Sequence, residues 1–343
     1  VTPLVDLRSD TLTMPGPDMR RAMAEAELGD DVFGEDPSIN RLEARAAGVT
    51  GKEAAVFVAT GTMGNLLAVL ALGRSGQEII ADADSHLFLS EGAGAAALGG
   101  LQIRQLPTEQ GVFGAGQVRA AIRVTDDHHQ PLTAAVCVEN THNRHGGVVW
   151  PLEALTAVRE VADEHRIPVH MDGARIFNAA AALGVPVGEI AATADTVTFC
   201  VSKGLGAPVG SILCGPADVI ERARRWRKAV GGGWREAGVL AAAGLWALDH
   251  MVERLAEDHA NARTLAEGLA ELPGVRIDLA RVQTNIVRFD VPEMGARAFA
   301  AACRDQGVLG GASSAGVRFV THYGIEAEEV QRALAVCAEV LSA

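Results

Sequence analysis

Between residues 51 and 216, seven short apolar runs (54–59, 77–82, 101–106, 134–139, 167–171, 196–201 and 209–214) alternate with stretches of helical pattern. Runs of five or six residues suit strands buried on both faces and are too short for buried helices. Alternation on this scale predicts a mostly parallel sheet with helices packed on both sides. Open sheets of this kind bind ligands beyond the carboxyl ends of their strands, so chemistry is sought in the residues that follow each run. A charged, histidine-containing loop, 123–131, interrupts the series.

Residues 1–50 read as an N-terminal arm and helices. Leu245, Leu248, Val252, Leu255, Ala262, Leu265, Leu269 and Leu272 form one apolar stripe, which predicts a long helix over 238–272 stopped by Pro273-Gly274. Strands at 275–279, 285–291 and 316–321, with helices at 295–306 and 326–341, complete a compact α+β unit. The expected organisation is an arm and large ligand-binding domain over 1–240, then a bridging helix and small C-terminal domain over 241–343.

Three strand ends carry chemistry. The run 196–201 leads into Ser202-Lys203-Gly204-Leu205-Gly206-Ala207-Pro208-Val209-Gly210, a lysine on a glycine-rich turn. A desolvated lysine loses its proton readily and can form an imine with a carbonyl. The run 167–171 ends in Asp172, and a helix over 174–183 leads back towards 196–201. This βαβ unit places Asp172 and Lys203 at the ends of neighbouring parallel strands. Taken alone, Asp172 could equally be a helix cap. The third end, Thr60-Gly61-Thr62-Met63-Gly64-Asn65, opens a helix with small residues, whose free N–H groups make an anion site. It is not a Walker loop, because no Gly-Lys-Ser/Thr follows.

Together the three describe one ligand: a phosphate on a helix N-terminus, a carboxylate against a ring nitrogen and a lysine amine against an aldehyde. Pyridoxal 5′-phosphate (PLP) requires those partners, with the aspartate keeping the ring an electron sink.

The remaining composition excludes other classes. A net charge of −13 opposes nucleic-acid or anionic-membrane binding, even though Arg222, Arg224, Arg225, Arg227 and Lys228 make a local basic run. No run is long enough to span a membrane, and Val1–Arg8 has no apolar secretory core. Five cysteines lack CxxC spacing, so reduced thiols in a cytoplasmic protein are expected, with no metal site.

The chain resembles the low-specificity L-threonine aldolases, PLP enzymes of the aspartate-aminotransferase-like fold (fold type I). The matching segments are Asp6–Thr11, Gly29–Pro37, Thr60–Asn65, Glu139–Asn143, His170–Arg175, Ser202–Ser211, Arg225–Lys228 with Gly231–Arg235, and Arg318–His322. Ser-Lys-Gly-Leu-Gly-Ala-Pro-Val-Gly-Ser and His-Met-Asp-Gly-Ala-Arg are the specific signals among them.

The resemblance implies a seven-stranded large domain with a small C-terminal one. It also implies cleavage of threonine, allo-threonine and related β-hydroxy-α-amino acids to glycine and an aldehyde. Lys203 and Asp172 then hold the cofactor, with Gly61 and Thr62 on its phosphate and His86 stacked on its ring. Arg318 and Arg175 match positions that grip the substrate carboxylate, with Ser9 assisting. His142 matches a histidine that contacts the β-hydroxyl. The base is left open between His86, His142 and a phosphate-bound water. Lys228 and Arg235 match residues that reach the phosphate of a neighbouring subunit, within a homotetramer built as a dimer of dimers. Phe33 stands where the family commonly has tyrosine.

Alternatives on the same fold are a phenylserine-preferring aldolase, a β-eliminating lyase and an aminotransferase; a non-enzymatic PLP carrier is a further class. The single tyrosine, Tyr323, weighs against lyases and aminotransferases that employ one near the ring.

Overall fold

All seven apolar runs form strands of one sheet in the computed structural model, which describes residues 4–342. In chain order the strands are β1 (Val5–Asp6), β2 (Ala54–Val58), β3 (Glu78–Asp82), β4 (Gln102–Leu106), β5 (Thr133–Glu139) and β6 (Val169–Asp172). They continue with β7 (Thr196–Cys200), β8 (Ser211–Gly215), β9 (Ile286–Phe289), β10 (Val308–Leu309), β11 (Gly311–Ser313) and β12 (Gly316–Val320). The large sheet has the order β2-β8-β7-β6-β5-β3-β4. Strands β7, β6, β5, β3 and β4 pair in parallel. Only β8 runs against its neighbours β2 and β7. It returns from β7 through the turn 201–210 with no helical crossover, and so short a return permits only antiparallel pairing. That turn carries Lys203.

Every position of β3, β5, β6, β7 and β8 is buried, as expected for strands covered on both faces. The edge strand β4 exposes Gln102 and Gln105. Burial of Phe57, Phe113, Trp150 and Phe199 builds the first core beside the sheet. A second core gathers Leu265, Leu269, Phe289, Phe299 and Phe319 around the β11-β12-β9 sheet. Val5 and Leu7 of the N-terminal arm belong to that second core, and β1 pairs in parallel with β10.

The single helix expected over 238–272 is two, Gly238–His250 and Leu255–Ala270. The apolar stripe is continuous, but its first half packs into the first core and its second half into the other. The chain breaks just before it changes partner, since Leu255 at the start of the second helix still packs in the first core. Arg254 stands at that break, paired with Asp258 at 2.8 Å and lying 5.1 Å from the Tyr323 ring. The strand expected at 275–279 is also absent. There the chain makes one isolated bridge, Arg276 to Asp290, before a 3-10 turn at Leu279–Arg281.

Among the described residues no helix is long and apolar enough to cross a membrane. All five cysteines are buried and free.

Candidate active site

Successive side chains of a strand alternate faces, so His170 and Asp172 of β6 lie on the same side of the sheet. Asp172 accepts from the Ala174 N–H at 3.1 Å and from Asn65 Nδ2 at 2.8 Å. The same Asn65 nitrogen donates to Glu91 Oε1 at 2.8 Å. Two carboxylates on Nδ2 turn the amide oxygen towards His170, whose Nε2 lies 3.1 Å away. His170 must therefore donate from Nε2, and its Nδ1 accepts from the Thr196 hydroxyl at 2.9 Å. Burial pushes the His170 pKa down to about 4, so the ring is neutral, as this relay requires.

Asn65 sits on the helix Gly61–Leu72 that follows β2. Thr60 caps this helix, its Oγ accepting from Met63 N at 3.1 Å. The first-turn N–H groups of Gly61 and Thr62 have no intrahelical acceptor. Gly64 permits the helix to lie directly on β7, where a Cβ would stand 2.5 Å from Thr198 Cγ2.

The β7–β8 turn holds Lys203 half-buried, with its carbonyl accepting from Gly206 N at 2.9 Å and Ala207 N donating to Val201 O at 3.0 Å. Gly210 closes the turn at φ +116°, a conformation other residues rarely adopt, and a Cβ there would meet Phe57 at 2.5 Å.

Arginines form the opposite wall. Arg175 Nε and Nη2 bind the two oxygens of Asp10 at 2.6 and 2.7 Å. Burial acts against the Asp10 carboxylate, yet the charge and hydrogen bonds of Arg175 hold it well below the usual range. Arg318, from β12, donates to Asn143 Oδ1 at 3.0 Å and to the Arg8 carbonyl at 3.1 Å. Asn143 Oδ1 also faces Arg175 Nη1 at 3.5 Å, linking the two guanidinium groups. His86 follows β3, with its N–H on Glu139 Oε2 at 2.6 Å and its Nδ1 2.7 Å from Glu91 Oε1. The Glu91 hydrogen bond raises the pKa of His86.

Between these elements lies one cavity of about 310 Å³. It brings together Ser9, Gly61, Thr62, His86, Asp172, Arg175, Lys203 and Arg318, all of them expected from sequence. Of the residues expected beside the substrate, His142 is not brought there, and Lys228 and Arg235, expected at a neighbouring subunit's phosphate, lie outside this cavity. His142 is fully buried and does not line the cavity; its Nε2 is 3.1 Å from Asp82 Oδ1. Lys228 is exposed on the helix Ala217–Ala229, and Arg235 is an exposed partner of Asp30 at 2.7 Å. Arg175 is present but its charge is met by Asp10, whereas Arg318 has no carboxylate in ion-pair reach among the described residues, so Arg318 is the cation left for a substrate anion. Phe33 is 73% exposed and away from the cavity in this chain.

Residues 6–292 match the family described as beta-eliminating lyase. The chain is 44% identical over 328 residues to the low specificity L-threonine aldolase of Escherichia coli strain K12, covering 95% of this chain and 96% of that one. Low-specificity L-threonine aldolase 1 of Arabidopsis thaliana is 42% identical over 338 residues, covering 96% and 94%. The chain belongs to the low-specificity L-threonine aldolase family. Among solved structures, the threonine aldolase of Leishmania major superimposes with a TM-score of 0.83 at 19% identity, covering 98% of this chain and 99% of that one. A Sphingomonas wittichii serine palmitoyltransferase follows the same fold, with a TM-score of 0.77 at 20% identity and coverage of 98% and 87%.

In this family member, sequence reasoning passed over Asn65, Asp10, Asn143, Glu139 and His170 as site residues. A signal for Asn65 existed: it is the one amide inside Gly-Thr-Met-Gly-Asn-Leu-Leu-Ala-Val-Leu-Ala-Leu, and a buried amide needs partners. His170 could have been found two residues before Asp172 on the same strand face. Asn143 and Asp10 carried no such signal, because their partners lie far along the chain.

Proposed function

We propose that this aldolase-family member cleaves L-threonine, L-allo-threonine and related β-hydroxy-α-amino acids to glycine and an aldehyde, with PLP as its cofactor. The observation that carries this reading is the convergence of Lys203, Asp172, the Gly61–Thr62 helix end and Arg318 on one cavity.

The residues fit that cofactor. Asp172 is held by Asn65 and Ala174 in the one orientation, while Thr141, also lining the cavity, has a buried hydroxyl without a partner among the described residues. Gly61 and Thr62 would hold the phosphate, Asp172 the ring nitrogen, His86 the ring face and Lys203 the aldehyde. When bound, the cofactor supplies an electron sink for the pair released as the Cα–Cβ bond breaks.

The protein's own work is orientation and proton transfer. Arg318 grips the substrate carboxylate, and Asn143 sets the direction of that grip. Fixing the carboxylate chooses which Cα bond stands perpendicular to the ring, and so which bond breaks. His86 is placed to take the β-hydroxyl proton, since it lines the cavity and imidazole is a side chain suited to proton transfer near neutrality. Asn65 and the neutral His170 keep Asp172 aimed, as outer partners do in metal and cofactor sites.

Lys228 and Arg235 extend this reading to the assembly. Both are exposed here, and both match positions that reach a neighbouring subunit's phosphate. We infer a cytoplasmic homotetramer whose sites are completed across dimer interfaces; the exposed side chains of Phe33, Val32 and Trp226 support an apolar contact there.

Borohydride reduction of the native protein, followed by peptide mapping, tests the assignment. The pyridoxyl tag should fall on Lys203, and glycine plus acetaldehyde should form in equal amounts from threonine. A tag elsewhere, or release of a keto acid instead, would overturn the reading.

A further inference from the structure

Strands β12 and β9 set Arg318 directly opposite Arg288 in an antiparallel ladder. Directly opposed side chains share a face, and two like charges so placed destabilise a sheet. Neither guanidinium has a carboxylate within ion-pair distance among the described residues. Arg288 donates from Nη1 to the Ala315 carbonyl at 3.2 Å, and its Nε is buried without a partner. Burial, then the charges of Arg318, Arg144 and Arg281, all act against the charged form of Arg288.

Both arginines line a second cavity of about 260 Å³. It shares His86, Glu139, Asn143 and Arg318 with the Lys203 cavity, so the two adjoin, and Lys203 itself does not line the second. The acids of this second space are already engaged. Asp84 pairs with Arg144 at 3.2 Å and with His145 at 3.4 Å, and Glu139 accepts the N–H groups of His86 and Asn143. The unmet charge there is positive.

We propose that Arg288 forms a second oxyanion subsite, which admits β-hydroxy-α-amino acids whose aldehyde-derived end carries a carboxylate or a phosphate. The inference rests on the aldolase reading above, with Arg318 on the α-carboxylate. For 3-hydroxyaspartate the step balances without a further reactant. The β-hydroxyl proton leaves, the Cα–Cβ bond breaks and Cα takes a proton, giving glycine and glyoxylate. Arg288 holds the distal carboxylate throughout.

The test compares the wild-type holoenzyme with R288M and R288Q on L-threonine, 3-hydroxyaspartate and the 4-phosphate of 4-hydroxythreonine, quantifying glycine. The two anionic substrates separate a carboxylate-sized subsite from a phosphate-sized one. Hydrogen bonds to a charged group are worth enough that both variants should lose about 10–100-fold in kcat/KM on the preferred anionic substrate. Threonine should change by less than about threefold, since its methyl group makes no charged contact. A wild-type enzyme that cleaves threonine but neither anionic substrate overturns the proposal, as does an equal loss on all three substrates. Succinate-induced thermal stabilisation gives a readout independent of turnover. It should appear in the wild type and vanish in R288M and R288Q; stabilisation that persists in both variants also overturns the subsite. Absent threonine cleavage alongside an Arg288-dependent succinate shift would strike the aldolase reading and leave the subsite standing.

Discussion

Asp10 grips Arg175 through two charge-assisted hydrogen bonds, to Nε at 2.6 Å and to Nη2 at 2.7 Å, with both side chains buried. The pair ties the N-terminal arm to the residues just after β6. Asn285 adds a third link at 3.3 Å from the segment that leads into β9. Removing one partner of such a pair strands the other charge away from water. Asp10→Ala should therefore cost about 3–5 kcal/mol of stability, more than Arg175 and Asp10 replaced together by apolar residues. Urea unfolding of the single and double variants measures this, and a double variant that is the least stable would contradict it.

Asn65 joins Asp172, Glu91 and His170 through one amide. Asn65→Ala should lower cofactor affinity by about 10–100-fold, because Asp172 loses the donor that aims it. Titrating PLP into the apoprotein gives the number. Affinity within twofold of wild type would remove Asn65 from the positioning of the cofactor.

The neutral His170 links stability to pH. Its folded pKa, about 4, lies below the ordinary histidine value because of burial. Between pH 6.5 and 4 the unfolded chain holds a proton that the folded chain does not, so stability is lost as pH falls through that window. The full effect is on the order of 3 kcal/mol for one such histidine. His259, pushed down to about 4 by burial, adds in the same direction. His86, raised by Glu91, acts oppositely: its contribution is present below its unfolded pKa and is lost as pH rises through its folded one. Chemical denaturation at pH 7 and pH 4.5 should show a smaller difference for His170→Asn than for wild type. Equal differences would show that His170 takes no part in this linkage.

Gly64 gives a purely steric prediction. A Cβ there would lie 2.5 Å from Thr198 Cγ2 on the fully buried β7, so Gly64→Ala should destabilise by about 1–3 kcal/mol through overpacking, despite the better helix propensity of alanine. A thermal midpoint equal to or above wild type would show that the helix can lift from the sheet without penalty.

How much of this could be read beforehand differs between elements. The strand runs were legible because a strand buried on both faces must be apolar throughout, and Thr196–Cys200 or Thr133–Glu139 can scarcely be anything else. The break at 251–254 was not legible, since an apolar stripe records that a face is buried without recording which core buries it. His142 shows the same limit for a site. Its motif suggested a place beside the substrate, whereas the fold turns its ring towards Asp82.

Residue order alone determined that Lys203 and Asp172 follow adjacent parallel strands, because a right-handed βαβ unit leaves them few other places. It also marked a helix start of small residues, Thr60–Asn65, as a candidate anion site. Tertiary structure decided the rest: that Asp10 occupies Arg175, that Asn143 meets Arg318, and that Arg288 stands across from it with no carboxylate in ion-pair reach among the described residues. These relations join residues more than a hundred positions apart, or on facing strands. Local periodicity carries no information about side chains that meet only when the two cores close on each other.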